Sequence, residues 1–198
     1  MKYDVFISYS RKDYLDEQKN VIPGNVVSQI KEALMGAGIT FWFDEEGIYH
    51  GQNFIKIITQ NIEASRVFLF LSSVNSNQST WTSREIGIAD VRKKHIIPFR
   101  IDQSRYNPEV EFRIVNLDYI DYYTNPKKGI AEMVDSIKKY LEQERNQAEW
   151  ARELQEKNDQ IAKLEKELKD AKDQEIPTKP IIQPRVSSLN LCHIRKKS

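Results

Sequence analysis

The chain has 198 residues, with 30 Lys and Arg against 29 Asp and Glu, a formal net charge of +1 and 39% hydrophobic residues. That length suits one ordinary domain plus an extension, and the balanced charge argues against a surface built to grip nucleic-acid phosphates. The single cysteine, Cys192, excludes an internal disulfide framework and fits a reducing compartment, and no apolar run approaches the ~20 residues of a membrane-spanning helix.

The chain opens on Tyr3-Asp4-Val5-Phe6-Ile7-Ser8, which reads as a short strand and not as the basic and apolar regions of a signal peptide. A cytoplasmic protein is therefore expected. Val26, Val27, Ile30 and Leu34 share one helical face, with Gly36 and Gly38 as stop signals. Ile39 to Phe43 is a second strand. Phe54, Ile57, Ile58 and Ile62 repeat a helical spacing, and Arg66 to Leu71 is a third strand. A helix follows from about Thr82 to Lys94, then a fourth strand at His95 to Phe99 and a possible fifth at Val115 to Ile120. Another helix starts near Pro126. Strands three and four are continuous apolar runs, as expected when both faces of a sheet are covered. This alternation predicts an α/β fold, a flavodoxin-like doubly wound parallel sheet of five strands.

Composition divides the chain into three parts: a globular domain over 1–144, a helical segment over 145–175, and a flexible, proline-containing basic tail over 176–198. In the helical segment Leu154, Ile161 and Leu168 are seven apart. Trp150, Leu164 and Ala171 fall at the complementary position, interrupted by Lys157 and Gln147. About three heptads suit a short self-associating coiled coil; the alternative is a solvated single helix held by charge pairs four residues apart.

Familiar catalytic motifs are missing. There is no phosphate-binding loop, nucleophile elbow, zinc-protease helix or cysteine cluster, and no metal is implied. The three histidines are far apart in sequence, and His95 at the start of a strand reads as structural. What remains is position, because open parallel sheets bind ligands beyond the carboxyl ends of their strands. Strand one delivers Ser8-Tyr9-Ser10-Arg11-Lys12-Asp13, rich in hydroxyls and cations. Strand two delivers Phe43-Asp44-Glu45-Glu46-Gly47 with Gly51 beyond it, and strand three a polar stretch from Ser72 to Thr80.

Helical spacing then puts Trp81 and Glu85 on one face, with Ile86 and Ala89 turned to the core. An aromatic plate beside a carboxylate suits a heteroaromatic ring joined to a sugar. The carboxylate can hold ribose hydroxyls and stabilise an oxocarbenium-like transition state. Thr82-x-x-Glu85 equally satisfies a capping box, in which Glu85 only closes the helix start.

The order of these segments resembles the Toll/interleukin-1 receptor (TIR) domain family. Tyr3 to Ser10 is similar to its first box. Gly38-Ile39 through Phe43-Asp44, with Ile48 and Gly51, resembles its second strand and BB loop. Asn61 to Ser72, Trp81-x-x-x-Glu85-Ile86 and Ile96-Ile97-Pro98 complete the likeness, which covers about residues 3 to 142.

The resemblance implies either a scaffold that binds other TIR domains without catalysis or an enzyme that cleaves NAD at the nicotinamide–ribose bond. In the enzymatic branch a glutamate four residues after an aromatic is catalytic, which implies Glu85. Ser8, Tyr9 and Arg11 would line the nucleotide pocket, Phe43 and Asp44 would flank it, and Trp81 would be a wall. NAD would enter as substrate, with no cofactor. On assembly the BB loop (Glu45, Glu46, Gly47, Ile48, Gly51) of one domain would complete the site of the next, and self-association through 145–175 would supply the local concentration for that contact. The loop lacks the proline of receptor-type versions, and the domain arrangement looks more like bacterial or plant-like effectors, which implies a role in defence or signalling. The products would be nicotinamide and ADP-ribose or a cyclic isomer.

Overall fold

A computed structural model of the chain describes residues 2–44 and 52–174. They divide at Gln147/Ala148 into two units. In the first, five parallel strands form one sheet in the order β2-β1-β3-β4-β5: β1 Tyr3–Ser8, β2 Phe41–Trp42, β3 Ser65–Ser72, β4 His95–Arg100 and β5 Ile120–Asp121. Six helices are interleaved: α1 Val26–Gly36, α2 Gln52–Ala64, α3 Val74–Asn77, α4 Thr80–Val91, α5 Pro108–Ile114 and α6 Pro126–Gln174.

Strand alternation sorts the core into two layers. Val67, Leu69 and Leu71 of β3 face α1 (Val27, Ile30, Leu34) and the start of α6 (Met133, Ile137, Leu141). Phe68 and Phe70 face the opposite layer, formed by Ile58 and Ile62 of α2, Ile86 and Ala89 of α4, and Val110 and Ile114 of α5. Residues 67 to 71 are all fully buried, so the unbroken apolar run of β3 is what two covered faces require.

Two expected strands are shorter than their apolar patterns. Only Phe41–Trp42 of the second pairs with β1. Just before it the Asp4 carboxylate accepts hydrogen bonds from the Thr40 N–H (2.9 Å) and hydroxyl (2.7 Å), so side-chain bonds take the place of part of the ladder. The fifth strand begins at Ile120, not Val115. The C-terminal turn of α5 takes up the intervening residues, since Val115 N–H donates to Glu111 and Leu117 N–H to Ile114. His95, at the start of β4, is exposed and stacks parallel on Tyr140 at 4.0 Å.

Gly129, in the first turns of α6, passes very close to the end of β5. A Cβ there would lie 2.8 Å from Tyr122 Cα and 2.9 Å from the Asp121 carbonyl, both backbone atoms. Gly129→Ala should therefore destabilise the domain by roughly 1–3 kcal/mol. Urea unfolding measures this, and an unchanged midpoint would show that α6 can shift at no cost.

In the second unit, residues 148–174 are helical and exposed throughout the part whose side chains are described. Trp150, Leu154, Ile161, Leu164 and Leu168 are large apolar residues open to solvent. Lys163 and Glu167 pair along the helix, and Gln155 donates to Asp159. No helix among the described residues is long and apolar enough to cross a membrane.

Candidate active site

The strand order reverses between β1 and β3, so a cleft opens beyond their carboxyl ends. The chain leaving β1 makes a single 3-10 turn at Arg11–Asp13. The Asp13 carboxylate then anchors it to α3, accepting from Ser73 Oγ (2.5 Å) and Asn75 Nδ2 (2.6 Å).

The start of α4 decides whether Glu85 caps the helix. Its N-cap is Ser79, whose hydroxyl accepts from the Thr82 N–H, and the helix begins at Thr80. Thr82 is thus inside the helix, and the capping-box reading of Thr82 and Glu85 fails. Glu85 lies a full turn further on and accepts a 2.6 Å hydrogen bond from Ser8 Oγ, at the end of β1. From behind, Asn107 Nδ2 donates to the Asn77 carbonyl and to Ser83 Oγ, tying α4 to α3 and α5.

A cavity of about 270 Å³ opens in front of Glu85, with Tyr9, Trp42, Phe54 and Trp81 in its walls and Arg11 and Lys12 among its polar lining. Trp81 meets Phe54 edge-on at 4.7 Å, and the Arg84 guanidinium lies over the indole at 4.9 Å. Trp81 and Glu85 also border a larger groove of about 1260 Å³ between α2, α4 and α5. Burial pushes the Glu85 carboxyl up to about 7; the Ser8 hydrogen bond opposes this and the nearby Asp44 charge adds to it. Burial also raises the Tyr9 phenol above its ordinary value, so it is a neutral donor at physiological pH. Its hydroxyl donates to the Asp44 carbonyl at 2.7 Å, and Arg11 pairs with the Asp44 carboxylate at 2.7 Å.

Of the residues singled out from sequence, Tyr9, Arg11, Asp44, Trp81 and Glu85 therefore meet at one cavity. Ser8 is 1% exposed, and its hydroxyl is engaged by Glu85 beneath the cavity wall. Phe43 points elsewhere. Alternation along the chain turns it to the α1 side, against Tyr9, Tyr14 and Phe41, with the Lys31 ammonium 3.8 Å from its ring centroid. Trp42 takes the place expected of Phe43, stacked on Phe6 at 4.8 Å. Phe54, one turn before Ile58 on α2, is a second wall that sequence reasoning missed. Period-two alternation from Phe6 and Trp42 was the available signal for the first, and helical spacing for the second. Glu45, Glu46, Gly47, Ile48 and Gly51 lie outside the described residues, as does the tail over 176–198. Among the described residues no group of three His, Cys, Asp or Glu side chains could hold a metal ion.

The TIR domain family model matches residues 5–134, about two thirds of the chain. This chain belongs to the TIR domain family. No curated protein sequence matches it significantly. Among solved structures, the TIR domain of the Toll-related receptor TRR-2 from Hydra magnipapillata superposes with a TM-score of 0.53 at 18% identity, covering 69% of this chain and 98% of that one. The TIR domains of the activated Roq1 resistosome, which directly recognises the pathogen effector XopQ, give 0.50 at 20% identity, covering 68% and 99%. A TIR–STING receptor from C. gigas, in complex with 2',3'-cGAMP, gives 0.52 at 18% identity, covering 68% of this chain and 39% of that one. At such identities the likeness establishes the TIR fold. The residues around Glu85 carry the argument about chemistry.

Proposed function

We propose that this TIR domain is an NAD glycohydrolase or cyclase, with Glu85 as its catalytic residue, acting in bacterial defence or signalling. One observation carries the reading. Glu85 stands in the wall of an aromatic cavity, held by Ser8, with its carboxyl pushed up to about 7.

The enclosed volume is below the ~300–1,000 Å³ of pockets that take drug-sized ligands, so it suits a base and its ribose and not a whole dinucleotide. The remainder of NAD would extend past Arg11 and Lys12, where cations meet its phosphates. In the reaction, the bond between ribose C1' and the nicotinamide nitrogen breaks and its electron pair leaves with nicotinamide. Positive charge develops on C1' and the ring oxygen, and the ionised Glu85 stabilises it while accepting hydrogen bonds from ribose hydroxyls. Water then adds to C1' and releases a proton, giving ADP-ribose. Attack by an adenine nitrogen of the same molecule would give the cyclic isomer.

Self-assembly would activate the enzyme. The exposed apolar seam of residues 148–174 suits pairing with a second copy, which would turn a weak contact between TIR domains into an effectively intramolecular one. The name of the Roq1 resistosome, which includes TIR domains, is in keeping with an assembled active form.

The reading is tested by incubating the full chain with NAD and quantifying nicotinamide from pH 5 to 9. Because the ionised carboxylate is the working form, kcat/KM should fall about tenfold per unit below an inflection near pH 7. A flat profile over that range would remove Glu85 from the chemistry. A folded, clustered protein that released no nicotinamide would point to a non-catalytic TIR scaffold.

A further inference from the structure

Ser8 ends β1, where doubly wound sheets commonly present ligand-binding groups. Its position suggests a pocket residue, but its environment suggests another role. The side chain is almost wholly buried, and its hydroxyl donates to Glu85 Oε2 at 2.6 Å across 77 residues of sequence. Ser8 is fixed in turn by the sheet, where it pairs in register with Phe70 of β3. The donor is therefore mounted on a strand paired on both sides within the sheet, while the acceptor rides on α4.

We propose that Ser8 is a positioning residue, which holds the Glu85 carboxylate in one orientation from beneath the cavity and does not itself contact substrate. The consequence for turnover rests on the NAD-cleaving reading; the contact itself does not. A carboxylate in one rotamer meets the developing charge without reorganising during the reaction, which is where preorganised electrostatics gain their effect. A hydroxyl can donate to an ionised carboxylate and so favours that form, opposing the burial that favours the neutral acid.

Among the described residues, the hydrogen bond that favours the ionised form of Glu85 comes from Ser8. Asp44, beyond β2, disfavours ionisation of Glu85, and its own carboxylate is paired with Arg11. Tyr9 stays neutral, and Lys12 lines the same cavity. On the α4 and α5 side, Arg84, Arg92, Glu109 and Arg113 border the larger groove. Arg84 lies over Trp81, Arg92 pairs with Glu63, and Arg113 pairs with Asp90. From α2 the described residues facing the two cavities are Phe54, Ile55, Ile58 and Thr59, none of them charged.

The experiment follows the Glu85 carboxyl directly by ¹³C NMR in the full chain, with its resonance identified by its loss in Glu85→Gln. In Ser8→Ala the titration midpoint should rise by about one pH unit. Ser8→Cys, close in size with a weak S–H donor, should give an intermediate midpoint, and it serves as the test if the alanine chain does not fold. Nicotinamide release by Ser8→Ala should drop about fivefold at pH 7 with KM unchanged and recover above pH 9, because the acid limb moves to higher pH with the carboxyl. A Glu85 midpoint that stays the same when the hydroxyl is removed would overturn the assignment whatever the activity. A midpoint that moves, in a protein releasing no nicotinamide in either form, would uphold the contact and refute the NAD-cleaving reading instead.

Discussion

Glu85→Gln should reduce nicotinamide release from NAD about a thousandfold or more and, at pH 8, make the protein more stable than the parent chain. Glutamine nearly matches the glutamate in shape and can still meet Ser8, but it carries no negative charge to oppose the cation developing at ribose C1'. The stability effect has a definite sign. Folding raises the Glu85 carboxyl from its ordinary 4.5 to about 7, so between these values the folded chain holds a proton that the unfolded chain has lost. Stability is then at its full value below pH 4.5 and declines as pH rises through 7, where the buried carboxylate must be charged. Removing that charge should recover about 1–3 kcal/mol at pH 8 and almost nothing at pH 4.5. Thermal unfolding of the two proteins at both pH values measures it. Equal stabilities at pH 8 would mean that Glu85 is not strained by its site. The combination of lost activity and gained stability separates a functional carboxylate from a helix cap, whose removal destabilises.

Breaking the helical seam should produce the second large effect. Leu154, Ile161 and Leu168 are exposed apolar residues spaced by seven on a helix with few other reasons to carry them. Replacing all three with glutamate should abolish self-association of the full chain. At nanomolar protein it should lower the rate per molecule by about a hundredfold, because tethering raises the local concentration of TIR domains toward the millimolar range. The loss should disappear when protein concentration is raised enough for the domains to meet unaided. Sedimentation and NAD turnover across a dilution series measure both. A monomeric triple variant that kept the parent rate at every dilution would leave the helix without a role in activity.

Much of the fold was legible because burial writes itself into apolar patterns. β1, β3 and β4 are continuous or near-continuous apolar runs with both faces covered, and α1 shows its Val27, Ile30 and Leu34 stripe plainly. β5 was legible only in part: Ile120 closes the apolar pattern that predicts a fifth strand, but Val115 and Leu117 look like strand residues and instead finish α5 with local hydrogen bonds. α5 itself had a readable start, Asn107 as cap followed by Pro108 and Glu109, that the strand pattern beside it obscured. α3 is a four-residue helix held by the Ser73–Ser76 capping box, too short for any period to announce it.

The site was legible as a set of residues but not as a geometry. Strand ends and one helical turn mark out the stretches that hold Tyr9, Arg11, Asp44, Trp81 and Glu85, and the resemblance to TIR domains picks these residues from them. That Phe43 turns away and Trp42 turns in depends on the phase of a two-residue strand. The bond between Ser8 and Glu85 joins positions 77 apart, which no local spacing reveals. The choice between a cap and a cavity carboxylate turned on a single residue, Ser79, because it sets where α4 begins.

The most direct test of the account is nicotinamide release from NAD by the full chain over a wide range of protein concentration, with Glu85→Gln beside it. The account predicts turnover per molecule that climbs with concentration and is absent in the variant at every point. A well-folded, self-associated parent chain that releases no more nicotinamide than Glu85→Gln would contradict it.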